Sequence, residues 1–227
     1  MKCLSGNQLK IIALLAMTCD HVGLELLPHW QFLRVIGRLA LPIFAYMIAE
    51  GCRYTKNRKR YLLSVATVAV LCQIVFFVAE KSMFQCILVT FSLSISMIYT
   101  IDYAKTKKTA GSWLLVVVIG AGIFFLSTIL PALLKGITNF HIDYGIWGIL
   151  LPVIIYYTPG TYKALAAALA LVPICLALGG NQWWSLAAVM LLLLYNGKRG
   201  KLDMKNLFYL YYPAHLAGIY LISCLLK

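Results

Sequence analysis

About nine apolar segments, most of them long enough to cross a bilayer, follow one another along this chain of 227 residues. A helix that spans the hydrocarbon core needs roughly 20 apolar residues, because the core is about 30 Å thick. The segments cover residues 8–27, 32–52, 61–79, 84–101, 113–134, 143–157, 163–179, 183–195 and 207–226. Those at 143–157 and 183–195 are short, which leaves a tilted or partly re-entrant course open for them.

Composition places the chain among membrane proteins. Hydrophobic residues make up 62% of it and charged residues 12%, whereas a soluble domain is about 45–50% apolar. No linker or low-complexity tract interrupts the apolar segments. The sequence therefore predicts an all-α fold, a polytopic transmembrane helix bundle of about nine spans (roughly eight to ten). This bundle is predicted to be a single domain over residues 1–227.

The net charge of +13 is explained by topology better than by nucleic-acid binding. If the N-terminus is cytoplasmic, the cytoplasmic loops carry the positive residues of 53–60, 105–108 and 198–205, including Lys201 and Lys205, together with Lys163. The opposite side holds Lys81, Lys135 and Lys227. An excess of Lys and Arg in cytoplasmic loops is the positive-inside rule. We predict a multi-pass protein of the plasma membrane, N-terminus inside and C-terminus outside, that contacts lipids and not nucleic acid.

Asp20 and His21 interrupt the first apolar segment. A carboxylate and an imidazole are costly inside a bilayer, and they persist there mainly where they face a bundle interior or a wet cavity. They are therefore candidates for a functional site. The alternative is an interfacial pair near the helix end that lipid headgroups solvate.

Helix geometry predicts which polar residues share a level in the membrane. With a rise of about 1.5 Å per residue, His21 lies roughly 20 Å from the cytoplasmic start of its helix, and Arg38, on the next helix, about 9 Å below the outer end. Arg34 lies one turn from Arg38 on the same face. Asp143 opens the sixth segment on the outer side, and His215 lies near mid-depth on the last one. We expect these residues to converge on a hydrated cavity or a sealed polar core.

A second charged cluster follows the second apolar segment. Glu50 precedes the run RYTKNRKR, residues 53–60, which has five positive charges in eight residues. Such a loop can simply hold topology and touch anionic lipids, with Glu50 as a helix-end partner. The alternative is that the loop is the entrance for a multiply phosphorylated cofactor, since Arg and Lys bind phosphates.

The seven cysteines stand singly, without a CxxC or CxxxH pair. Their apolar settings favour free thiols, and no metal site is predicted. A catalytic role for Cys19 is conceivable, but an apolar thiol is usually inert.

Four stretches together resemble the TraX family of integral-membrane acetyltransferases. They are KIIALLAMTCDHVG (10–23), RVIGRLALPIFAYMIAEGCRYTKNRKRY (34–61, with Gln73 following), DYGIWGIL (143–150) and LFYLYYPAHL (207–216). The family is named for a conjugation protein that acetylates the N-terminus of pilin. The chain departs from the family pattern at Leu62, Leu63 and Ser64, where an arginine is expected. It departs again at Gln85, Cys86, Thr90 and Phe91, where an asparagine followed by a Thr-Leu pair is expected.

The resemblance implies that acetyl-CoA is the cytoplasmic acyl donor. The acceptor is an amine or hydroxyl: a peptide N-terminus, a surface glycan or a small amine. Acyl transfer needs a base that removes the acceptor proton, and histidine suits this task because its pKa lies near working pH. We predict His21 as that base, with Asp20, Arg38 and His215 as the other catalytic residues. The predicted donor-binding residues are Arg34, Glu50, Arg53, Arg58, Lys59, Arg60, Tyr61, Gln73, Asp143 and Tyr212.

Two roles within this set have simple alternatives. Successive helical residues point about 100° apart, so Asp20 is more plausible as a partner of Arg38 or of a neighbouring helix than of His21. Tyr212 and His215 flank Pro213, so they can serve only to accommodate a proline kink in the last helix.

Two other functions stay open from the residues alone. In a small proton- or ion-coupled transporter, Asp20, His21, Arg38 and His215 would form a polar relay. In a noncatalytic membrane scaffold, His21 would be dispensable for partner binding. A homo-oligomer is compatible with either, and with the acetyltransferase.

Overall fold

The secondary structure of the described residues is helical. The structure, a computed structural model, describes residues 2–200 and 205–226. Their α-helices are α1 (Gly6–Glu25), α2 (Gln31–Gly37), α3 (Ala40–Tyr54), α4 (Arg58–Glu80), α5 (Ile87–Lys107), α6 (Ala110–Phe124), α7 (Leu130–Leu133), α8 (Gly145–Tyr157), α9 (Lys163–Leu178), α10 (Ala188–Leu193) and α11 (Lys205–Leu226). A π-helical turn, Phe125–Ile129, joins α6 to α7, and 3₁₀ segments cover Gly160–Tyr162 and Gly180–Ala187. Within these ranges there are isolated β-bridges but no strand, which confirms the all-α prediction.

Five helical stretches of the described chain are long and apolar enough to cross a membrane. They are Gln31–Tyr54, Arg58–Val78, Ile87–Lys107, Ala110–Leu133 and Gly160–Leu178. Two predicted spans correspond to shorter apolar helices, Gly145–Tyr157 and Leu210–Leu225. The first predicted span corresponds to α1, whose 20 residues include Lys10, Asp20 and Glu25. The count of about nine spans and the N-in orientation stay predictions. Lys201 and Lys227, part of the predicted charge asymmetry, lie outside the described residues.

The second predicted span is not one regular helix. The chain leaves α-helical geometry at Arg38 and Leu39, whose N–H groups donate to carbonyls three residues back, those of Val35 and Ile36. Pro42 explains the break, because proline lacks an N–H and its ring clashes with the carbonyl four residues earlier, here that of Arg38. Arg38 therefore lies at a corner between α2 and α3.

The predicted span at 183–195 is mostly not α-helical either. Its first part is the 3₁₀ segment Gly180–Ala187, and α10 adds six residues. Gly179, just after α9, and Gly180, the first residue of the segment, have φ of +62° and +49°, a backbone region that glycine adopts at little cost. This glycine pair ends α9 and starts the 3₁₀ segment.

The chain divides into two compact units. Unit 1 comprises residues 1–47 and 158–227, and unit 2 comprises residues 48–157. In unit 1, Ser5 and Gln8 form a capping box that starts α1. The first two N–H groups of α1 are hydrogen-bonded to the segment after α10, with Gly6 N donating to Lys198 O and Asn7 N to Arg199 O. These bonds fix where α1 begins.

Buried hydroxyls connect the helices of unit 2. Ser94 of α5 donates a hydrogen bond of 2.8 Å to the carbonyl of Ile149 in α8, and Thr90 donates one of 2.8 Å to the carbonyl of Asp143. Gly148 of α8 lies against the Thr90 methyl group, so the two helices approach closely. Small and hydroxyl residues at such contacts are typical of membrane helix packing, where hydrophobicity alone does not drive helix association.

The close approach of α1 and α2 depends on Gly37. A Cβ atom there would overlap the Asp20 side chain. We expect Gly37→Ala to lower the free energy of unfolding by about 1–3 kcal/mol, the usual cost of overpacking. The measurement is thermal unfolding in detergent, in which size-exclusion chromatography reports the fraction of protein that remains folded. Gly122→Ala in α6 is the control, since a Cβ there meets nothing within 4 Å. Equal stability of Gly37→Ala and wild type would contradict the predicted contact.

Candidate functional site

Asp20 is the centre of a polar cluster in unit 1. Its two carboxylate oxygens pair with two arginines: Oδ2 with Arg34 Nη1 at 2.9 Å and Oδ1 with Arg38 Nη2 at 2.6 Å. Arg34 Nη1 also donates to the Asp20 carbonyl at 3.2 Å. The three side chains are 13–25% exposed. Asp20 therefore joins α1 to both ends of the turn between Arg34 and Arg38. Its expected pairing with Arg38 is present.

The Arg38 guanidinium is held from three directions. Its Nη2 is bound to Asp20. Its Nε donates to the Arg34 carbonyl at 3.3 Å, and its Nη1 donates to Gln182 Oε1 at 3.2 Å. Gln182 belongs to the 3₁₀ segment Gly180–Ala187 and is 3% exposed. A guanidinium with this many partners keeps one orientation, which favours recognition of a planar or anionic group.

The ion cluster does not balance its own charge. Asp20 contributes one negative charge, and Arg34 and Arg38 contribute two positive ones. Both arginines are close enough to His21 to interact with it electrostatically. Such an excess of fixed positive charge stabilises negative charge that develops nearby, most strongly where water is scarce.

His21 of α1 and His215 of α11 form a direct hydrogen bond. Nδ1 of His21 lies 2.9 Å from Nε2 of His215, and Nδ1 of His215 lies 3.0 Å from the carbonyl oxygen of Tyr211. The imidazole rings are parallel to within 4° with centroids 5.0 Å apart, a geometry that fits an in-plane N–H···N bond. The structure thus brings together two residues that are 194 positions apart in the sequence.

The partners assign the protons of the two neutral imidazoles. A carbonyl can only accept, so Nδ1 of His215 carries the proton that is donated to Tyr211. Nε2 of His215 then has a lone pair and accepts from Nδ1–H of His21. The lone pair of His21 therefore lies on Nε2. This is the arrangement of a general base whose tautomer is fixed by a second residue.

Aromatic residues of α11 support His215. The Tyr211 ring lies parallel to the imidazole within 12° at a centroid distance of 5.4 Å, and the Tyr212 ring meets it edge-on at 5.3 Å. Thr18 of α1 donates to the Leu14 carbonyl, so it accepts its second bond, of 2.7 Å, from the Tyr211 hydroxyl. Tyr212 therefore contacts a predicted catalytic residue.

Unit 2 has its own carboxylate cluster, centred on Asp102 of α5. Arg58 Nη2 lies 2.7 Å from Oδ2, and the Tyr156 and Tyr157 hydroxyls donate to Oδ2 and Oδ1 at 2.7 and 2.8 Å. The Asp102 side chain is 16% exposed, whereas that of Arg58 is 49% exposed. Asp102 thus ties the start of α4 and the end of α8 to α5.

The predicted donor-binding residues of the basic loop all lie in unit 2. Arg53 donates to the Tyr156 carbonyl at 2.6 Å, and Arg58 is bound to Asp102. Lys59 and Arg60 are exposed in the first turn of α4, which Asn57 caps by accepting from the Arg60 N–H. The positive end of this helix therefore carries exposed cations, which is a suitable setting for phosphate.

The other predicted unit 2 residues are mostly part of its packing. Glu50 is buried, and a Cβ at Gly51 would overlap the Tyr61 hydroxyl, so Tyr61 covers Gly51. Gln73 donates to the Phe84 carbonyl at 2.7 Å. Asp143 N donates to the Gln85 carbonyl at 2.9 Å. Of the residues that helix geometry predicted to converge, unit 1 contains Asp20, His21, Arg34, Arg38 and His215, whereas Asp143 belongs to unit 2.

The sequence pattern did not indicate Gln182, Tyr211 or Asp102. Gln182 follows a Gly-Gly-Asn run that is typical of a turn, and its contact with Arg38 depends on the tertiary fold. Asp102 lies one residue beyond the predicted end of the fourth span, although α5 continues to Lys107. A lone carboxylate next to an apolar run was the one signal for it.

The Asp20 ion pairs predict energetic coupling between α1 and α2. We expect Asp20→Asn and Arg34→Gln each to lower the free energy of unfolding, and the double variant to lose less than their sum. The predicted coupling is about 1 kcal/mol or more, within the range for contacting groups. Denaturation by SDS in mixed micelles measures it.

Lys107→Gln, an exposed change in unit 2, is the control partner for Asp20→Asn. Those two changes should add within about 0.5 kcal/mol. Additive losses for Asp20→Asn with Arg34→Gln would contradict the coupling.

Comparison with known proteins gives two relatives and a family. The probable fimbrial assembly protein FimC, serogroup H1, of Dichelobacter nodosus is 26% identical over 238 residues, which cover 94% of this chain and 93% of that protein. An uncharacterized protein of Rickettsia prowazekii (strain Madrid E) is 40% identical over 55 residues, 24% of this chain and 22% of that protein. No solved structure gives a significant match.

A family model described as TraX protein matches residues 5–223, and this range contains both the Asp20 cluster and the histidine pair. The chain therefore belongs to the TraX family.

Proposed function

We propose that this TraX-family chain is a membrane acetyltransferase that transfers the acetyl group of acetyl-CoA to an amine or hydroxyl. The observation that carries the proposal is the hydrogen-bond chain from Tyr211 through His215 to His21, beside arginines with excess positive charge. It combines a base of defined tautomer with stabilisation of a developing oxyanion. These are the two elements that acyl transfer requires.

His21 Nε2 takes the proton of the acceptor in this mechanism. As that proton leaves, the acceptor nitrogen or oxygen forms a bond to the acyl carbon, and the carbonyl electron pair moves onto its oxygen. Arg38, oriented by Asp20 and Gln182, stabilises the negative oxygen. When the carbonyl re-forms, the carbon–sulfur bond breaks, and the thiolate leaves with the proton from His21.

His215 fixes the position and tautomer of His21. Because its Nε2 accepts from His21 Nδ1–H, it also stabilises the positive charge that His21 gains with the proton. Asp20 cannot easily share this task, since both of its carboxylate oxygens pair with arginine. Asp20 is therefore assigned to positioning, and His215 to orienting the base.

The basic loop of unit 2 is proposed to bind the donor's phosphates. Acetyl-CoA supplies the thioester whose acyl carbon is attacked, and its nucleotide part carries several phosphates. Lys59 and Arg60 are exposed at the positive end of α4. Arg58 is bound to Asp102, which leaves it half exposed but fixed in position. These residues fit a multiply charged anion.

The relative FimC is named as a probable fimbrial assembly protein. Together with the pilin acetylation implied by the family resemblance, this favours a peptide N-terminus as the acceptor, with a surface glycan or small amine as the other classes. Such an acceptor fits the multi-pass protein of a bacterial plasma membrane that we propose. The runner-up function is a proton-coupled transporter, which the hydrogen-bonded histidine pair would also suit.

His21→Ala is expected to lower kcat about 10²- to 10⁴-fold, because general-base catalysis contributes that much. Affinity for acetyl-CoA should stay near wild type. His215→Ala should reduce kcat less, since it removes only the orienting partner. Release of CoA from acetyl-CoA by purified protein in detergent, with binding measured by calorimetry, checks both variants.

His29→Ala is the control for the histidine variants, because His29 is exposed between α1 and α2. A wild-type preparation that is folded but neither binds acetyl-CoA nor releases CoA would overturn the acetyltransferase proposal. Proton-dependent flux by that preparation in vesicles would then assign the transporter.

Neutralising the α4 positive end tests the donor site. Lys59→Gln with Arg60→Gln should weaken acetyl-CoA and CoA binding about 10²- to 10⁴-fold, since two charge-assisted hydrogen bonds are together worth about 3–6 kcal/mol. Lys107→Gln with Lys108→Gln removes the same charge at the negative end of α5 and should change binding little. Equal losses in both double variants would mean that net charge, not a site, determines binding.

A further inference from the structure

Gln182 has a buried donor without an acceptor. The amide Nε2 has no hydrogen-bond partner among the described residues, and the whole residue is 3% exposed. Burying a polar group without a partner is unfavourable, so native proteins rarely keep one unless function requires it. Gln182 is therefore unusual among the polar residues of unit 1.

Arg38 determines which way the Gln182 amide points. A guanidinium only donates, so the atom 3.2 Å from Arg38 Nη1 must be the amide oxygen. The amide nitrogen is bonded to the same carbon and lies beside that contact. An oxygen atom placed against both Arg38 and this amide nitrogen would accept hydrogen bonds from both.

The backbone of Gln182 is fixed as well. Its N–H donates to the Gly179 carbonyl at 3.0 Å, and its carbonyl accepts from the Cys175 thiol at 3.4 Å. Cys175 is itself fully buried in α9. The donor is thus preorganised, as a group that stabilises developing charge needs to be.

We propose that Gln182 is a substrate-binding residue whose amide N–H donates to the acyl carbonyl oxygen of the thioester, together with Arg38. This inference rests on the proposed acetyltransferase function and extends it to the 3₁₀ segment Gly180–Ala187. The bond strengthens as the carbonyl oxygen becomes negative during attack by the acceptor. Gln182 then contributes to recognition of the acyl group as well as to kcat.

The test compares binding of CoA and acetyl-CoA, which differ in the acyl group. We expect wild type to bind acetyl-CoA more tightly than CoA, and the share of Gln182 in that preference to be about three- to tenfold, the usual effect of one neutral hydrogen bond. Gln182→Glu keeps an acceptor for Arg38 but loses the donor, and Gln182→Met loses both. In both variants the preference should fall by this three- to tenfold factor with CoA affinity unchanged, and kcat should fall about 10²- to 10³-fold.

Asn181→Ala is the matched control, because Asn181 is the exposed neighbour on the same segment.

Wild-type preference and turnover in Gln182→Glu would overturn the proposal while leaving the acetyltransferase intact, since Gln182 would then act only by positioning Arg38. Equal wild-type affinity for CoA and acetyl-CoA would overturn it as well. So would a large loss of Tm in both Gln182 variants, which assigns a structural role. Wild type that binds neither compound would overturn the proposed function and this inference together.

Discussion

The pairing of Asp20 with two arginines is the interaction on which unit 1 depends. An isolated carboxylate in an apolar helix is costly, and Arg34 and Arg38 remove that cost only if α2 lies directly against α1. Gly37 makes room for this approach, and Pro42 provides the corner that places Arg38 beside Asp20. Because His21 follows Asp20 on the same helix, the ion cluster also fixes where the candidate base lies.

Unit 2 uses a related solution for Asp102. One arginine and two tyrosine hydroxyls satisfy the carboxylate, so its charge is dispersed among three helices. The two clusters differ in their charge balance. Asp102 and Arg58 neutralise each other, whereas the Asp20 cluster keeps one positive charge. Because of that difference, we assign acyl transfer to the Asp20 cluster of unit 1. The Asp102 cluster of unit 2 is assigned to anchoring the basic loop.

The sequence predicted features that depend on composition and helical geometry. Apolar segments indicated the all-α fold, and the 1.5 Å rise placed His21 and Arg38 at a common level. The same geometry indicated that Asp20 would pair with Arg38 or with a neighbouring helix, and the structure pairs it with Arg38. The helix break at Arg38 was missed, although Pro42 signalled it. Gln182 was out of reach, because no local pattern shows that a residue in a turn-like run meets an arginine 144 positions earlier.

The most direct test of this account is the tautomer of His21, measured by ¹⁵N NMR of histidine-labelled protein in detergent micelles. Protonated and unprotonated imidazole nitrogens resonate far apart, and His21→Gln and His215→Gln assign the signals. The account predicts a proton on Nδ1 and a lone pair on Nε2 in both rings, with an N–H···N coupling between them. A His21 ring protonated at Nε2, with Nδ1 bare, would contradict it, because the proposed base would then have no lone pair for the acceptor proton.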